Sequence, residues 1–347
     1  MSTSRSTNKK KRITVKDVAK ALNINASTVS RALSPDKQHL VSDRVVEQVI
    51  KKSREMGYSV NPLASALKKG ATKTIGVMIP DILNPMFPPL INQIQQRAHK
   101  LGYTLTFAYT ENNSLIAMEE LKRLVSRNVD GVIMASAFRE DPTVEYCQQM
   151  HIPLVLLARS VDSHDIDQIL VDDSEGIHQL TLHLYNLGHR KIAHIAGPTE
   201  ISSGFNRKLA FKAATEMHGL QPTLVQASAF SEDAGRAASK ELFEKYPDTT
   251  AVIASNDLLA LGCIGERESQ GVRCPEDISI TGINDMPFLE WFRTPLTTLS
   301  IPNIEMANEA INMLVNQINV GTEKASSRKV LLQPKLVIRQ STKKLNN

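Results

Sequence analysis

The chain has 347 residues, 41% hydrophobic and 22% charged, which fits a soluble protein of two or three domains with a sizeable core. No run approaches the roughly 20 apolar residues that cross a bilayer. The start MSTSRSTNKKKRITVKDV is basic with no apolar stretch behind it, so it does not read as a secretory signal and a cytoplasmic location is expected. The net charge of +5 hides an asymmetry: residues 1–70 hold 15 Lys/Arg against 5 Asp/Glu, and the remainder 26 against 31. A basic end on a mildly acidic body points to a polyanion partner for the first seventy residues. Cys147, Cys263 and Cys274 are widely spaced and form no CxxC pattern, which suits a reducing compartment and plain packing.

In chain order, residues 1–12 read as a basic disordered tail. Thr14 followed by Val15, Val18, Ala19 and Leu22 predicts a capped amphipathic helix, with Asp17 placed to close a capping box. LNIN breaks it, and Asn25 is placed to cap a second helix, ASTVSRAL. Val29, Ala32 and Leu33 point inward on that helix, leaving Ala26, Ser27, Ser30 and Arg31 for the other face. Two short helices with a tight turn follow the helix-turn-helix plan, whose second helix lies in the major groove. Small residues let the backbone approach base edges; hydroxyls bond phosphates or bases, and arginine bonds guanine bidentately. A third helix from Ser42 to Met56 carries Val45, Val46, Val49, Ile50 and Met56 inward and stops at Gly57. A generic three-helix bundle has the same spacing. Next, NPLASALKKG (61–70) has a cap in Asn61, Pro62 at the first helical position and a stop in Gly70. A helix of about seven residues is well below the roughly 12–15 needed for marginal stability alone, so it is expected to form only against a surface.

ITVKDVAKALNINASTVSRAL and VSDRVVEQVIKKSREMGYSVNPLASAL together resemble the headpiece and hinge of the lactose-repressor (LacI/GalR) family of bacterial transcription regulators. The TVSR core, the MGY after the third helix and the NPxAxxL hinge keep the family's order and spacing. The resemblance implies that Ala26, Ser27 and Arg31 read bases in double-stranded operator DNA, and that Thr14, Thr28, Ser30, Asn61 and Lys68 join the DNA contacts. It further implies that Leu67, with its copy in a partner chain, wedges into the minor groove; such apolar wedges kink DNA.

From Thr72 onward, short apolar runs alternate with helical patterns. IGVMIP, YTLTFAYT, GVIMAS and PLVLLA form one series. ILVDD, KIAHIAG, AVIAS and ISITGIN form a second, and LTTLSI, a helix over 303–320 and KVLLQPKLVIRQS complete the chain. This βαβ rhythm run twice predicts two parallel-sheet α/β lobes, which place ligands in the crevice beyond the strand C-termini. The region resembles the family's effector-binding core, itself similar to periplasmic sugar-binding proteins, through IPDILNPMF, LGHRKIAHIAGP, ASNDLLALG and PEDISITGIND. The expected organisation is thus a helix-turn-helix domain over 13–60, a hinge helix over 61–70, a two-lobed effector-binding and dimerisation domain over 71–341, and a tail over 342–347.

An enzyme is not expected: there is no GxxxxGK[ST], HExxH or GxSxG. Ser163–His164–Asp165 reads as loop polarity, and His178, His183 and His189 lack i, i+4 spacing, so neither a metal nor a cofactor is expected. Asp172–Asp173 reads as the cap of the following helix. By comparison with the family's pockets, Phe87, Ser203, Arg207, Phe230, Asn256 and Asn284 are expected at the cleft mouth, where they offer a flat face for a ring, a charged fork and side-chain amides. Many sugar-responsive members have an aspartate where this chain has Asn284. That departure leaves room, beside a simple sugar, for a sugar acid or sugar phosphate recognised by Arg207. The helix after Asn84 and the segment around Trp291 and Phe292 are expected in a dimer contact. No leucine-heptad tail follows Ser341, so a homodimer is expected rather than a tetramer.

Overall fold

The computed structural model describes residues 13–58, 71–162, 165–320 and 327–345. They belong to two compact units that divide between Thr72 and Lys73. The expected basic tail (1–12) and the whole of the expected hinge (61–70), including Asn61, Leu67 and Lys68, lie outside the described residues.

In the first unit, α1 (Val15–Leu22) starts at the foreseen capping box. Thr14 N donates to Asp17 Oδ2 at 2.8 Å, and Asp17 N donates back to Thr14 Oγ1 at 3.4 Å. Asn23, in the left-handed region at φ 51°, turns the chain toward α2 (Ala26–Ala32). Asn25 stands at the N-cap but its side chain makes no capping bond; its backbone carbonyl alone accepts from Thr28 N and Val29 N. A 3-10 segment, Pro35–Leu40, was not foreseen. The third helix, α3 (Asp43–Glu55), ends before Gly57 at φ 66°, a conformation that costs glycine nothing. Val18, Ala19, Val29, Ala32 and Val49 form the core, ringed by Ile13, Leu22, Val45, Val46 and Met56. Ala26, assigned to the outer face, is half-buried against this core: it opens α2, where the helix meets its neighbour.

The second unit has two lobes. The first contains β1 (Thr74–Ile79), α4 (Phe87–Lys100), β2 (Thr104–Tyr109), α5 (Ser114–Ser126), β3 (Gly131–Met134), α6 (Pro142–Gln149), β4 (Leu154–Leu157) and β5 (Gln168–Val171). The second contains α7 (Asp173–Asn186), β6 (Ile192–Ala196), α8 (Ser202–Met217), β7 (Thr223–Gln226), α9 (Glu232–Lys245), β8 (Ala251–Ala254), α10 (Asp257–Ser269), β9 (Ser279–Asn284) and β10 (Thr297–Ser300). The chain then returns to the first lobe through α11 (Asn303–Val320) and β11 (Lys329–Leu332), and ends on the second with β12 (Lys335–Val337). The sheets run β11-β5-β4-β3-β1-β2 and β12-β10-β9-β8-β6-β7.

Three sequence expectations are corrected. ILVDD, assigned to the second series, supplies β5 of the first sheet, paired parallel to β4 and β11. The periodicity announced a strand, but which sheet it joined depended on partners as far as 161 residues away, Gln168 pairing with Lys329. The second sheet is not wholly parallel, because β12 runs antiparallel to β10. Thr342–Leu345 of the expected tail are bonded to the second lobe: Lys343 N donates to Ser279 Oγ at 3.1 Å and Leu345 N to Leu187 O at 2.8 Å.

Central strands such as β3, β4, β6 and β8 are buried at every residue. Helices cover both faces, which explains their unbroken apolar runs. On the first lobe, α11 closes the core: Met306, Ala307, Ile311 and Leu314 pack with Ile75, Leu90, Ile94 and Ile133. The lobes are therefore joined by three crossings among the described residues, β5 to α7, β10 to α11, and β11 to β12. The strand C-termini of both sheets face a common crevice.

Candidate functional site

In the first unit, α2 presents Ser27, Ser30 and Arg31 exposed, with Thr28 half-buried. Val29 and Ala32 on the opposite side are wholly buried, so packing fixes which side chains face out. Thr14 is exposed, and its hydroxyl donates to Asp17 Oδ2 at 2.7 Å.

In the second unit, the crevice is a cleft of about 550 Å³. All six residues expected there line it: Phe87, Ser203, Arg207, Phe230, Asn256 and Asn284. Phe87 opens α4 and is mostly buried in the first-lobe core, so it serves packing as well as the cleft wall. Phe230 leans from the loop before α9 over Gly197, where a Cβ would overlap its ring; glycine makes the aromatic's seat. Asn256 caps α10, its Oδ1 accepting from Leu259 N at 2.9 Å, which leaves its amide N–H groups for another partner. Asn284 has φ 124° and Asp285 φ 52°. Such backbone is costly for residues other than glycine and persists only where neighbours hold it. Here Asp257 Oδ2 accepts from Met286 N at 2.9 Å and Arg339 Nη2 donates to Asp285 at 2.7 Å.

Arg207 is already paired. Its Nε donates to Asp173 Oδ1 at 2.6 Å and its Nη1 to Ser255 O at 2.6 Å. Both side chains are almost buried. Burial pushes the Asp173 carboxyl upward while Arg207 beside it pulls the other way. The partner is a buried carboxylate at the N-terminus of α7. Asp172 is the cap, accepting from Glu175 N at 3.0 Å; both Asp172 and Asp173 line the cleft.

Sequence reasoning also missed Arg159 and Asn112, which line the first-lobe side. The signal for Arg159 was its position directly behind the apolar run PLVLLA, at the C-terminal end of a strand where such folds bind ligands. Among the described residues no group of three or more His, Cys, Asp or Glu is arranged to hold a metal.

A helix-turn-helix unit joined to a two-lobed, hinge-connected core with one polar-aromatic cleft defines a ligand-responsive DNA-binding regulator. A periplasmic binding protein-like domain is matched over residues 181–342. The regulator DegA of Bacillus subtilis is 30% identical over 338 residues, 96% of this chain and 99% of the relative. The ribose operon repressor of Halalkalibacterium halodurans is 31% identical over 95% and 97% of the two chains. Among solved structures, the CelR–cellobiose complex aligns with a TM-score of 0.72 at 26% identity, covering 95% of this chain and all of the other. The Lac repressor dimer bound to operator and an anti-inducer shares the fold, with a TM-score of 0.84 at 24% identity over 96% and 100%. The chain belongs to the LacI/GalR family of transcriptional regulators.

Proposed function

We propose that this protein is a repressor in the cytoplasm that binds a palindromic operator as a homodimer. A sugar or sugar derivative in the cleft between its lobes controls the DNA affinity. The observation that carries the reading is the gathering of six residues, foreseen from separate stretches of sequence, around one cleft. The exposed Ser27, Ser30 and Arg31 of α2 supply the other half of the argument. One helix of this size reads only a few base pairs. Two copies address half-sites one helical turn apart, about 34–36 Å. For the dimer contact we assign the loop after β9. Phe288 is 73% and Trp291 78% exposed, large apolar surface of the kind that interfaces cover. A relative named as a ribose operon repressor and a solved structure named as a regulator–cellobiose complex support the same assignment by kinship.

The test is selection from a random duplex pool by the full-length chain, followed by binding measurements on the selected sequence. Arg31→Ala is expected to relax base preference at one position of each half-site at a cost of about 1–3 kcal/mol. A uniform loss across all sequences contradicts base reading and makes Arg31 a phosphate contact. Loss of the selected palindrome itself contradicts the regulator assignment.

A further inference from the structure

Two guanidinium groups line the cleft, and they differ in one respect. Arg207 is neutralised by Asp173 at 2.6 Å. Arg159 is only 7% exposed, yet both of its hydrogen bonds go to neutral acceptors: Nη1 donates to Ser136 O at 3.2 Å and Nη2 to Asn112 Oδ1 at 2.9 Å. No carboxylate forms an ion pair with it among the described residues. The acid that acts on it from farther off, Asp141, has its own oxygens committed to Phe138 N, Thr143 N and Thr143 Oγ1. Burial draws the Arg159 guanidinium down to about 10 from its usual value, the direction expected of a buried cation without a counter-charge. Two hydroxyls in the loops that hold it, Ser136 Oγ and Thr110 Oγ1, are buried and have no hydrogen-bond partner. The residue before it, Ala158, has φ 61°, a strained setting that aims the chain at the end of β4.

A buried arginine with spare donors and no carboxylate paired to it is costly unless an anion completes it. We infer that the effector carries an acidic group, a carboxylate or phosphate, and that Arg159 on the first lobe binds it. Arg207, its charge already balanced, then serves the hydroxyl-bearing part of the ligand from the second lobe. This rests on the reading of the cleft as an effector site and names the class of ligand: a sugar acid or sugar phosphate rather than a neutral sugar. The arrangement also gives the ligand a reason to draw the lobes together, because its charged end is held by one and its hydroxyls by the other.

The experiment uses matched probes on the full-length chain: glucuronate against glucose, and ribose 5-phosphate against ribose, at equal ionic strength. Calorimetry reads affinity and thermal melting reads stability, for wild type, Arg159→Gln and Arg207→Gln. The acidic member of at least one pair is expected to bind about tenfold or more tightly than its neutral counterpart. Arg159→Gln is expected to erase that difference while melting without additive within about 2 °C of wild type, or above it. Arg207→Gln is expected to weaken both members. Equal binding of acid and neutral sugar overturns the inference and leaves the sugar-effector cleft standing. An acid preference that survives Arg159→Gln but not Arg207→Gln overturns it in favour of Arg207. Arg159→Gln melting many degrees lower with the preference intact makes the guanidinium a structural brace and overturns it too. Binding of none of the four probes overturns the inference together with the sugar-effector reading on which it rests.

Discussion

At the scale of single residues, two fully buried titratable groups of the second lobe pull stability in opposite directions with pH. His194 lies on β6 with Nδ1 donating to Ile253 O at 2.7 Å and Ser255 Oγ donating to Nε2 at 3.2 Å; burial pushes its pKa down to about 4. Between about 4 and its ordinary value, the unfolded chain binds a proton there that the native state does not. The contribution of His194 therefore falls as pH falls through that window. Asp257 accepts from Thr298 Oγ1 at 2.6 Å and from Met286 N, and burial pushes its pKa up to about 6. Between its ordinary value and about 6 the native state holds the extra proton, so its contribution rises as pH falls. Each effect is roughly 3 kcal/mol in full. Asp257→Asn removes only the second. Between pH 6.5 and 4 the variant is expected to lose up to roughly 3 kcal/mol relative to wild type in urea unfolding; a gap that does not change with pH contradicts the assignment. Asp257 was visible in ASND, but its role was not, because Thr298 and the turn at Met286 lie 41 and 29 residues away. The same distance problem hid the Asp173 partner of Arg207. The cleft residues themselves were legible because the resemblance supplied their places.

At the scale of elements, legibility followed burial. GVIM, LVLL and AVIA were plain as strands because helices cover them on both sides. TLVQ was missed: β7 lies at a sheet edge and buries only Val225, so its pattern resembles a loop. Membership of a lobe was not legible at all for β5 and β11, since parallel pairing is fixed by partners far along the chain. Capping was legible where chemistry is reciprocal, as in Thr14 and Asp17. Thr14→Ala removes the hydroxyl half of that box, leaving the backbone N–H of residue 14 on Asp17, and is expected to lower the stability of the first unit by about 1 kcal/mol; thermal melting followed by helix signal checks it, and an unchanged midpoint contradicts it. A second device joins loops of opposite lobes. Arg139, between β3 and α6, sends its backbone N–H to Glu200 O at 2.9 Å and its Nη1 to Thr199 O at 3.3 Å. Its guanidinium stands 3.7 Å from the centre of the Phe205 ring and pairs with Asp162. Nearby, Ser160 N donates to Ser202 Oγ at 2.8 Å. This clasp adds to the three chain crossings. Arg139→Ala is expected to cost about 1–2 kcal/mol and to widen the unliganded particle in small-angle scattering. An unchanged radius of gyration with full stability contradicts a bridging role.

At the scale of the whole molecule, the proposed mechanism is a linkage between two occupancies. A ligand that favours one arrangement of the lobes, and an operator that favours one arrangement of the paired headpieces, change each other's affinity by the same factor. Electrostatics gives the DNA side a steep salt dependence, because lysines and arginines displace counterions. The clustering of basic charge in residues 1–70 makes that end the source of it. The measurement that bears most directly on the linkage is the affinity of the full-length chain for its selected duplex, with and without a saturating cleft ligand, in wild type and in Arg207→Gln. The ligand is expected to change wild-type affinity at least about fivefold, and Arg207→Gln to need far more ligand for the same change. An operator affinity indifferent to an occupied cleft contradicts it.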